Sequence, residues 1–275
     1  MHRDIDEVEF IIFDTETTGL QPRSGDRIVE ISAIKFKGKE RLGVFDSLIN
    51  PGREISPDAF EVNRISPEML KGAPDAGEVI PKFLDFIGSS CLCSYNAGFD
   101  MEFLNNELEI IGRKALEGVT VVDVLKMARR LLPGLGRYPL WFVTDRLGIS
   151  MQQKHRALSD VEITLQVFNK LKDMLKEKGI SDYANFLSLF AINERFLKDV
   201  NNQKVIAIQE AIDLRVKLKI KYLSSSSAEV TERVVLPKEI KNEKERIYLV
   251  GYCYLRDEER SFRMDNILHF EIYKQ

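Results

Sequence analysis

The chain has 275 residues, of which 44% are apolar and 30% charged, and its formal net charge is −3. This composition suits one large or two modest globular domains and excludes disordered and fibrous classes. Because the whole molecule is not basic, any nucleic-acid binding has to rely on local patches or metal ions. The three cysteines form no C-x-x-C pair, which argues against a disulfide framework and a structural zinc site. Without a signal peptide or an apolar run of membrane-spanning length, we expect a cytoplasmic protein with no membrane partner.

Strand-like and helix-like segments mix along the first two thirds of the chain. Residues 8–13 form an apolar run typical of a buried strand, and 27–36 and 41–49 predict two further strands joined as a hairpin. The following segments alternate between helix and strand, at 74–87 (helix), 91–95 (strand), 97–111 (helix), 119–122 (strand), 138–147 (helix) and 157–178 (helix). This order predicts a mixed α/β sheet. Further helix, interrupted at Gly179 and at the Asn201-Asn202 pair, leads to short alternating segments from Arg215 onward.

The first segment with chemical potential is D-T-E-T-T-G, which runs from Asp14 to Gly19 directly after the first buried strand. Residues i and i+2 of a strand share a face, so Asp14 and Glu16 project together. Two neighbouring carboxylates repel each other unless a cation lies between them. A solvated strand end would also explain the pair. A second D-x-E, at 257–259, lies among charged residues and is interpreted as an exposed hairpin turn.

Two more acidic residues lie where helices begin. Asp100, in N-A-G-F-D, falls in the first turn of a predicted helix, where the helix dipole alone would favour an acid. Asp160 follows His155 by five residues and opens the helix at 157–178. Because five residues correspond to about 140° around a helix, the two side chains converge only if His155 lies in the preceding loop. The alternative is a surface or structural histidine.

D-x-E-T-T-G, N-A-x-F-D and H-x-x-x-x-D resemble, in this order, the three motifs of the DEDDh (DnaQ-like) 3′→5′ exonucleases. The resemblance covers residues 8–175 and departs at Tyr95, where relatives commonly have histidine. It implies a ribonuclease-H-like α/β domain with a mixed sheet. It also implies hydrolysis of nucleic acid from the 3′ end to nucleoside 5′-monophosphates, with single-stranded DNA as the expected substrate. DNA polymerase or repair proteins are the partners that this family suggests.

The resemblance also implies a role for each motif residue. Four carboxylates would hold two Mg²⁺ or Mn²⁺ ions, since hard oxygen ligands favour these metals: Asp14, Glu16, Asp100 and Asp160. His155 would take the proton from the attacking water. Thr17 and Leu20 would contact the terminal nucleotide, Leu20 as a wedge under the last base. Simple turn chemistry for Thr17 and core packing for Leu20 are the alternatives.

The C-terminal quarter contains two strand patterns of a different kind. Basic residues alternate with apolar ones from Arg215 to Tyr222, as in a strand with one basic face that could grip nucleic acid through Lys217, Lys219 and Lys221. A charged, solvated edge strand is the alternative. Residues 247–254 predict a second strand with three tyrosines on one face. Since Val250 is the fourth residue of that face, we interpret the face as core.

This quarter also resembles a WYL domain, a small mainly-β SH3-like fold, over residues 205–272. The matching text is A-I at 211–212, K-I-K-Y at 219–222, Y-L at 248–249 and S-F-R-M-D at 261–265. The sequence departs at Ile247, in place of the tryptophan, and at Asn266, in place of an arginine. The resemblance implies binding of nucleic acid or nucleotide-like ligands. The candidate contacts are Tyr248, Arg256, Arg260 and Arg263.

The expected organisation is therefore an exonuclease domain over 1–175, a helical linker over 176–203 and a WYL-like domain over 204–275. Two other functions stay open: an RNA-trimming exoribonuclease, and a regulatory nucleic-acid-binding protein that uses the nuclease fold as a scaffold. The complete acidic set argues against the second. The sequence contains no identifiable contact to a 2′-hydroxyl that would separate DNA from RNA.

Overall fold

The computed structural model describes residues 3–150, 155–192, 194–243 and 246–273, without the side chains of 194–201. One sheet is formed by β1 (Glu9–Thr17), β2 (Ile28–Lys37), β3 (Glu40–Leu48), β4 (Cys91–Ser94) and β5 (Val121–Asp123). The other is formed by β6 (Leu218–Leu223), β7 (Val230–Glu243), β8 (Arg246–Cys253), β9 (Glu258–Arg263) and β10 (Ile267–Ile272).

The helices are α1 (Pro57–Asn63), α2 (Pro67–Leu70), α3 (Ala76–Ile87), α4 (Ala97–Ile110), α5 (Val124–Leu131), α6 (Leu140–Arg146), α7 (Ala157–Glu177), α8 (Tyr183–Phe190) and α9 (Glu194–Asp213). We call the first sheet with α1–α8 the N-terminal lobe, and the second sheet with α9 the C-terminal lobe. The sequence analysis missed the short helices α1 and α2. Both begin with Ser-Pro, a signal for a helix start that could have revealed them. The break predicted at Asn201-Asn202 is wrong, because α9 continues through both residues.

The first sheet has the order β3-β2-β1-β4-β5 and mixes two kinds of pairing. β1 and β3 are antiparallel to β2, whereas β4 is parallel to both β1 and β5. This arrangement confirms the predicted mixed α/β class. β1 lies in the middle and is covered on both faces, which explains its continuous apolar run.

Successive side chains of β1 enter two separate cores. Phe10 and Ile12 pack in a cluster with α5, α7 and α8, whereas Ile11 and Phe13 pack in a cluster with α3 and α4. Since side chains alternate along a strand, Asp14 continues the face that meets α7. The acidic end of β1 is thereby directed toward the first turn of α7.

The second sheet has the order β10-β6-β7-β8-β9 and is antiparallel throughout. It confirms the prediction of a small mainly-β domain. The proposal that the basic strand is an edge strand is wrong, because β6 lies between β10 and β7. Leu223 and Leu268 of this sheet belong to the hydrophobic cluster of the N-terminal lobe, so the two lobes share part of one core.

The interpretation of the tyrosine face of β8 as core holds for Val250, which is 4% exposed, but is wrong for the tyrosines, none of which is fully buried. Leu249 and Cys253 are the β8 residues that pack in the C-terminal core with Ile208 of α9. Tyr254, just after the strand, is 45% exposed. The core forms on the other face because α9 covers it, and a two-residue period alone cannot tell which face a helix will cover.

No helix in the described ranges is long and apolar enough to cross a bilayer. The predicted cytoplasmic location stays a prediction. The predicted domain boundaries also stay predictions; α7 extends to Glu177, and α8 packs in the core of the N-terminal lobe through Phe186 and Phe190.

Candidate active site

Three carboxylates meet where β1 ends and α7 begins. Asp14 and Glu16 lie on β1, and Asp160 lies in the first turn of α7. One oxygen from each of the three lies within 4.8 Å of the others. Glu30, opposite Glu16 on β2, adds a fourth acidic group nearby. Strand alternation and the start of a helix thus bring together residues that are far apart in sequence.

The electrostatics of this cluster are those of crowded, buried anions. Burial is the largest cause that raises the pKa of Asp14 well above its ordinary value, and repulsion from Asp100 and Glu16 adds to it. Burial, followed by repulsion from Asp160 and Glu30, raises the pKa of Glu16 to about 8. Like charges in a low dielectric favour proton uptake or a cation. The cluster therefore has the donor set and the charge that suit a divalent ion with oxygen ligands.

Asp100 lies beside this cluster, not within the group of three. It is 2% exposed, and its Oδ1 accepts hydrogen bonds from the Thr15 amide (3.0 Å) and hydroxyl (2.7 Å). Its Oδ2 accepts from the Ser94 hydroxyl (2.5 Å). Burial raises the pKa of Asp100 to about 6, although these hydrogen bonds oppose the shift. Asp100 therefore ties α4 to the ends of β1 and β4, and its role as a metal ligand stays a prediction.

His155 lies in the loop before α7, as the sequence analysis required for it to converge with Asp160. Its side chain is exposed and lines a cleft together with Asp14 and Asp160. Its backbone has a φ of 51°, an uncommon conformation for a residue other than glycine. The structure thus brings the histidine and the carboxylates to one cleft. Its role as a proton acceptor stays a prediction.

An ion pair that the sequence analysis missed anchors this loop. Glu30 is 3% exposed and accepts from the Arg156 guanidinium, with Nε–Oε2 at 3.1 Å. The Ala157 amide also donates to Glu30 Oε2 at 2.9 Å. The pair joins β2 to the start of α7, one residue after His155. A glutamate inside the buried run I-V-E-I-S was the available signal, because a buried acid needs a partner.

Thr17 and Leu20 follow the acidic residues of β1. The Thr17 hydroxyl donates to the Gly19 carbonyl at 2.6 Å, which is the turn chemistry considered as its alternative. A Cβ on Gly19 would lie 2.3 Å from Asp26 Oδ2, so any larger residue here would displace the Asp26 carboxylate. The alternative that Leu20 packs in the core is wrong, because its side chain is 78% exposed. The predicted contacts of both residues with a nucleotide stay predictions.

The cleft beside the carboxylates has a volume of about 570 Å³. Arg129, Tyr138 and Trp141 also line this cleft, and the sequence analysis identified none of them. Tyr95, which replaces the histidine common in relatives, donates from its hydroxyl to the Tyr138 carbonyl at 2.6 Å. Tyr95 therefore supports the wall of the cleft.

The four candidate WYL contacts do not form one pocket. Tyr248 and Arg263 are partners across β8 and β9. Arg256 lies at the other end of this hairpin, and Arg260 pairs with Glu258 at 2.7 Å. The three arginines lie at different positions along the hairpin, and a sequence match alone does not show how far apart they are. Their roles toward a ligand stay predictions.

The position at which the sequence departs from the WYL pattern joins the two lobes. Asn266 is 1% exposed, and its amide donates to the Leu223 carbonyl at 2.9 Å. Its Oδ1 and the neighbouring Asp265 carboxylate both accept from Arg130 of α5. Asp265 also pairs with Arg263 at 2.6 Å. Asparagine supplies both a donor and an acceptor here, which arginine could not do.

The basic face of β6 is occupied by partners within the chain. Lys219 pairs with Glu232 at 2.9 Å, and the Lys217 ammonium lies 4.3 Å from the centre of the Tyr254 ring. Lys221 donates to the Gly179 carbonyl at 3.3 Å. These contacts give the lysines structural roles and weaken the case that they grip nucleic acid.

Comparison with known proteins identifies two families. A model of the exonuclease family (RNase T) matches residues 11–168, and a WYL model matches 203–272, so both resemblances are confirmed. DNA polymerase III subunit epsilon of Treponema pallidum is 39% identical over 168 residues, which is 60% of this chain and 77% of that protein. DNA polymerase III PolC-type of Clostridium perfringens is 34% identical over 205 residues, 74% of this chain but 14% of that protein. The chain spans less than a fifth of the PolC-type relatives that it matches.

Solved structures share the fold at lower identity. The zinc-bound E. coli ExoI–ssDNA complex has a TM-score of 0.58 and 16% identity, covering 90% of this chain and 55% of that one. A 3′-exonuclease that recognises the histone mRNA stem-loop has a TM-score of 0.55 and 15% identity, covering 62% of this chain and 67% of that one. One fold therefore occurs in structures of both DNA and RNA complexes.

Proposed function

The chain belongs to the exonuclease family, and on this premise we propose that it is a metal-dependent 3′→5′ exonuclease that acts on DNA. It would hydrolyse phosphodiesters from the 3′ end and release nucleoside 5′-monophosphates. The observation that carries the proposal is the group of three carboxylates within 4.8 Å at the end of β1. His155 opens into the same cleft.

The residues of the cluster fit divalent metal ions. Asp14, Glu16 and Asp160 would hold two Mg²⁺ or Mn²⁺ ions, with Asp100 contributing through water. Bound cations would offset the negative charge of the phosphodiester and make a water molecule more acidic. Without them, burial and mutual repulsion raise the pKa values of Asp14 and Glu16, which favours proton uptake by the cluster. The close approach of three carboxylate oxygens supports a cation site, because a cation would offset their mutual repulsion.

His155 would accept the proton of the attacking water. It is exposed on the cleft side of the loop, so the proton can pass on to solvent after the bond breaks. The Arg156–Glu30 pair would hold this loop while Asp160 stays in the cluster. A general base of this kind contributes about 10²- to 10⁴-fold to the rate.

The relatives support DNA as the substrate and a replication or repair setting. They are named as DNA polymerase III proteins, so a DNA polymerase or repair protein is the expected partner. Thr17 and the exposed Leu20 would contact the terminal nucleotide, and the WYL domain would bind nucleic acid or a nucleotide-like ligand. Single-stranded DNA is the expected form, since a frayed 3′ end reaches a cleft of this size more readily than a duplex.

The test uses 5′-labelled DNA and RNA oligonucleotides, each single- and double-stranded, with Mg²⁺, Mn²⁺ or EDTA. We expect a ladder of shortened products from single-stranded DNA with either metal, none with EDTA, and inhibition by a 3′-phosphate. Asp14→Ala protein, purified in the same way, is the control. Its lack of activity would exclude a contaminating nuclease. Faster trimming of RNA would reassign the substrate, and activity that survives complete chelation would exclude the proposed mechanism.

A further inference from the structure

The only tryptophan of the sequence lies at the rim of the cleft beside the carboxylate cluster. Helix α6 uses Leu140, Val143 and Thr144 to pack inward, and each is less than 9% exposed. Trp141 lies on the outward side of this helix and is 48% exposed. Trp141 is not among the residues of the two hydrophobic clusters of the N-terminal lobe, so packing of the core does not explain the indole.

The surroundings of Trp141 combine aromatic surface with positive charge. The Arg137 guanidinium lies 4.7 Å from the centre of the Trp141 ring and 5.1 Å from that of Phe142. The Trp141 and Phe142 rings meet edge to face at 5.7 Å. Arg129, on the neighbouring helix α5, lines the same cleft. Among the residues whose side chains the structure describes, no carboxylate forms an ion pair with either arginine.

A single exposed aromatic residue is ordinary on a protein surface. Here, however, the ring packs against Arg137, and the cleft that it lines also contains Arg129, Asp14, His155 and Asp160. Flat aromatic rings beside guanidinium groups suit a ligand with alternating planar rings and phosphates. A single-stranded nucleic acid has that chemistry, whereas a small carboxylate or a peptide has no regular alternation of the two.

We propose that Trp141, with Arg137 packed against it, is a stacking platform for a nucleobase of the strand being trimmed. Arg129 and Arg137 would pair with the phosphates on either side of that base. This inference rests on the proposed exonuclease function and extends it to a defined substrate contact. Thr17 and Leu20 do not line this cleft, so the base on Trp141 would differ from the terminal base that those residues are predicted to contact.

The position of the platform predicts its effect on the reaction. It would hold the retained part of the strand while the carboxylates act at the end, so it would contribute to substrate binding more than to bond cleavage. Stacking on an aromatic side chain typically changes affinity by about 10-fold or more per base. The contact would be tolerant of sequence, because every base presents a flat face.

The first experiment uses the fluorescence of Trp141, which reports directly because the sequence has no other tryptophan. Full-length protein is titrated, in Ca²⁺ to slow hydrolysis, with oligothymidine, oligouridine and an abasic oligomer of equal length and charge. A 5′-fluorescein label measures binding by anisotropy in parallel. We expect quenching with both base-containing strands and much less with the abasic strand at equal occupancy. Equal quenching by the abasic strand would overturn the stacking proposal.

The second experiment compares steady-state kinetics of Trp141 variants on oligothymidine in Mg²⁺. Trp141→Ala and Trp141→Leu should raise KM about 10-fold with a smaller change in kcat, whereas Trp141→Phe should restore most of the affinity. Tyr254→Ala, an equally exposed aromatic residue of the C-terminal lobe, is the matched control and should resemble wild type. Trp141 is outside the core, so we expect its variants to fold like wild-type protein. Circular dichroism checks this expectation.

The outcomes separate the two proposals. If wild-type protein neither binds nor trims the oligomers, the proposed function fails and the platform fails with it. If wild-type protein trims them but Trp141→Ala has an unchanged KM, the function stands and the platform is refuted. If Trp141→Leu matches wild type while Trp141→Ala does not, the contact is apolar and not stacking, which also overturns the proposal.

Discussion

The two lobes use clustered charges in opposite ways. At the end of β1, Asp14 and Glu16 approach Asp160 within 4.8 Å, and the described residues offer neither β1 carboxylate an ion pair with lysine or arginine. On β6, each lysine of the basic face has a partner, either Glu232, a carbonyl group or an aromatic ring. One lobe concentrates negative charge, and the other balances its positive charge internally.

This contrast teaches that a row of like charges is informative only once its partners are known. In sequence, the alternating lysines of β6 were as conspicuous as the D-x-E of β1. In the structure, the lysines stabilise a sheet, whereas the carboxylates raise one another's pKa values. A charge without a compensating neighbour costs folding energy, and such a cost is commonly retained where the charge binds something.

Removing the centre of the acidic cluster should have the largest effect. Asp14→Ala deletes a carboxylate that interacts with Glu16, Asp100 and Asp160. We expect turnover to fall by roughly 10³-fold or more, because metal-ion charge stabilisation contributes several kcal/mol. Trimming assays in Mg²⁺ measure the loss of turnover, and calorimetric titration with Mn²⁺ measures the loss of metal binding. EDTA should have the same effect on wild-type protein. Substantial turnover in Asp14→Ala would show that the cluster is not the metal site.

Removing the proton acceptor should have the next largest effect. We expect His155→Ala to lower kcat by roughly 10²- to 10⁴-fold. His155 is exposed and is not one of the carboxylates expected to bind the metal. We therefore expect the Mn²⁺ affinity and the melting temperature of His155→Ala to match those of wild-type protein. Rapid-quench measurement of the first turnover separates chemistry from product release. A near wild-type rate would mean that another group accepts the proton.

Disturbing the Arg156–Glu30 pair should have a smaller effect on the rate. Arg156→Ala frees the loop that carries His155 and should lower kcat by roughly 10- to 100-fold, the cost of misplacing a catalytic group by about 1 Å. Arg156→Lys should recover only part of this loss, because lysine cannot form the forked contact. Arg23→Ala, which breaks the exposed Arg23–Glu102 pair, is the matched control. A fall in melting temperature with unchanged kcat would limit the pair to a structural role.

The pKa of Glu16 predicts how pH affects the metal-free protein. Its folded-state pKa of about 8 exceeds the ordinary value of 4.5 because of burial and repulsion from Asp160. The folded chain therefore keeps a proton that the unfolded chain releases, so stability is greatest below pH 4.5 for this group and falls as pH rises toward 8. Melting temperatures in EDTA should decline across that window, and Mg²⁺ should flatten the decline. Glu16→Gln should also flatten it; an unchanged slope would exclude Glu16 as the cause.

The lysines of β6 should have the smallest effect. Combined Lys217→Gln, Lys219→Gln and Lys221→Gln substitutions remove charges that already have partners in the chain, so the salt dependence of KM should not change. Three true phosphate contacts would instead reduce the slope of log KM against log salt by about 2. Measurement on long single strands between low and moderate salt decides this point. A reduction of the salt slope by that amount would show that the lysines of the basic face contact nucleic acid.

Much of the fold was predictable from the sequence because its signals are local. The apolar run before Asp14 and the periodic helix after His155 placed the strand and helix that meet at the candidate site. The Asp100 environment was less predictable, since its contacts with Thr15 and Ser94 depend on how three elements pack. The outward position of Trp141 and the covered face of β8 likewise follow from which helix covers which surface. Those relations are tertiary, and a periodic pattern does not encode them.

Helix α5 has two neighbouring arginines with different surroundings. Arg130 holds Asp265 and Asn266 of the C-terminal lobe, and Arg129 lines the cleft beside Asp14. Two consecutive residues of one short helix thus connect residues 265–266 of the C-terminal lobe with the wall of the cleft that contains the carboxylates.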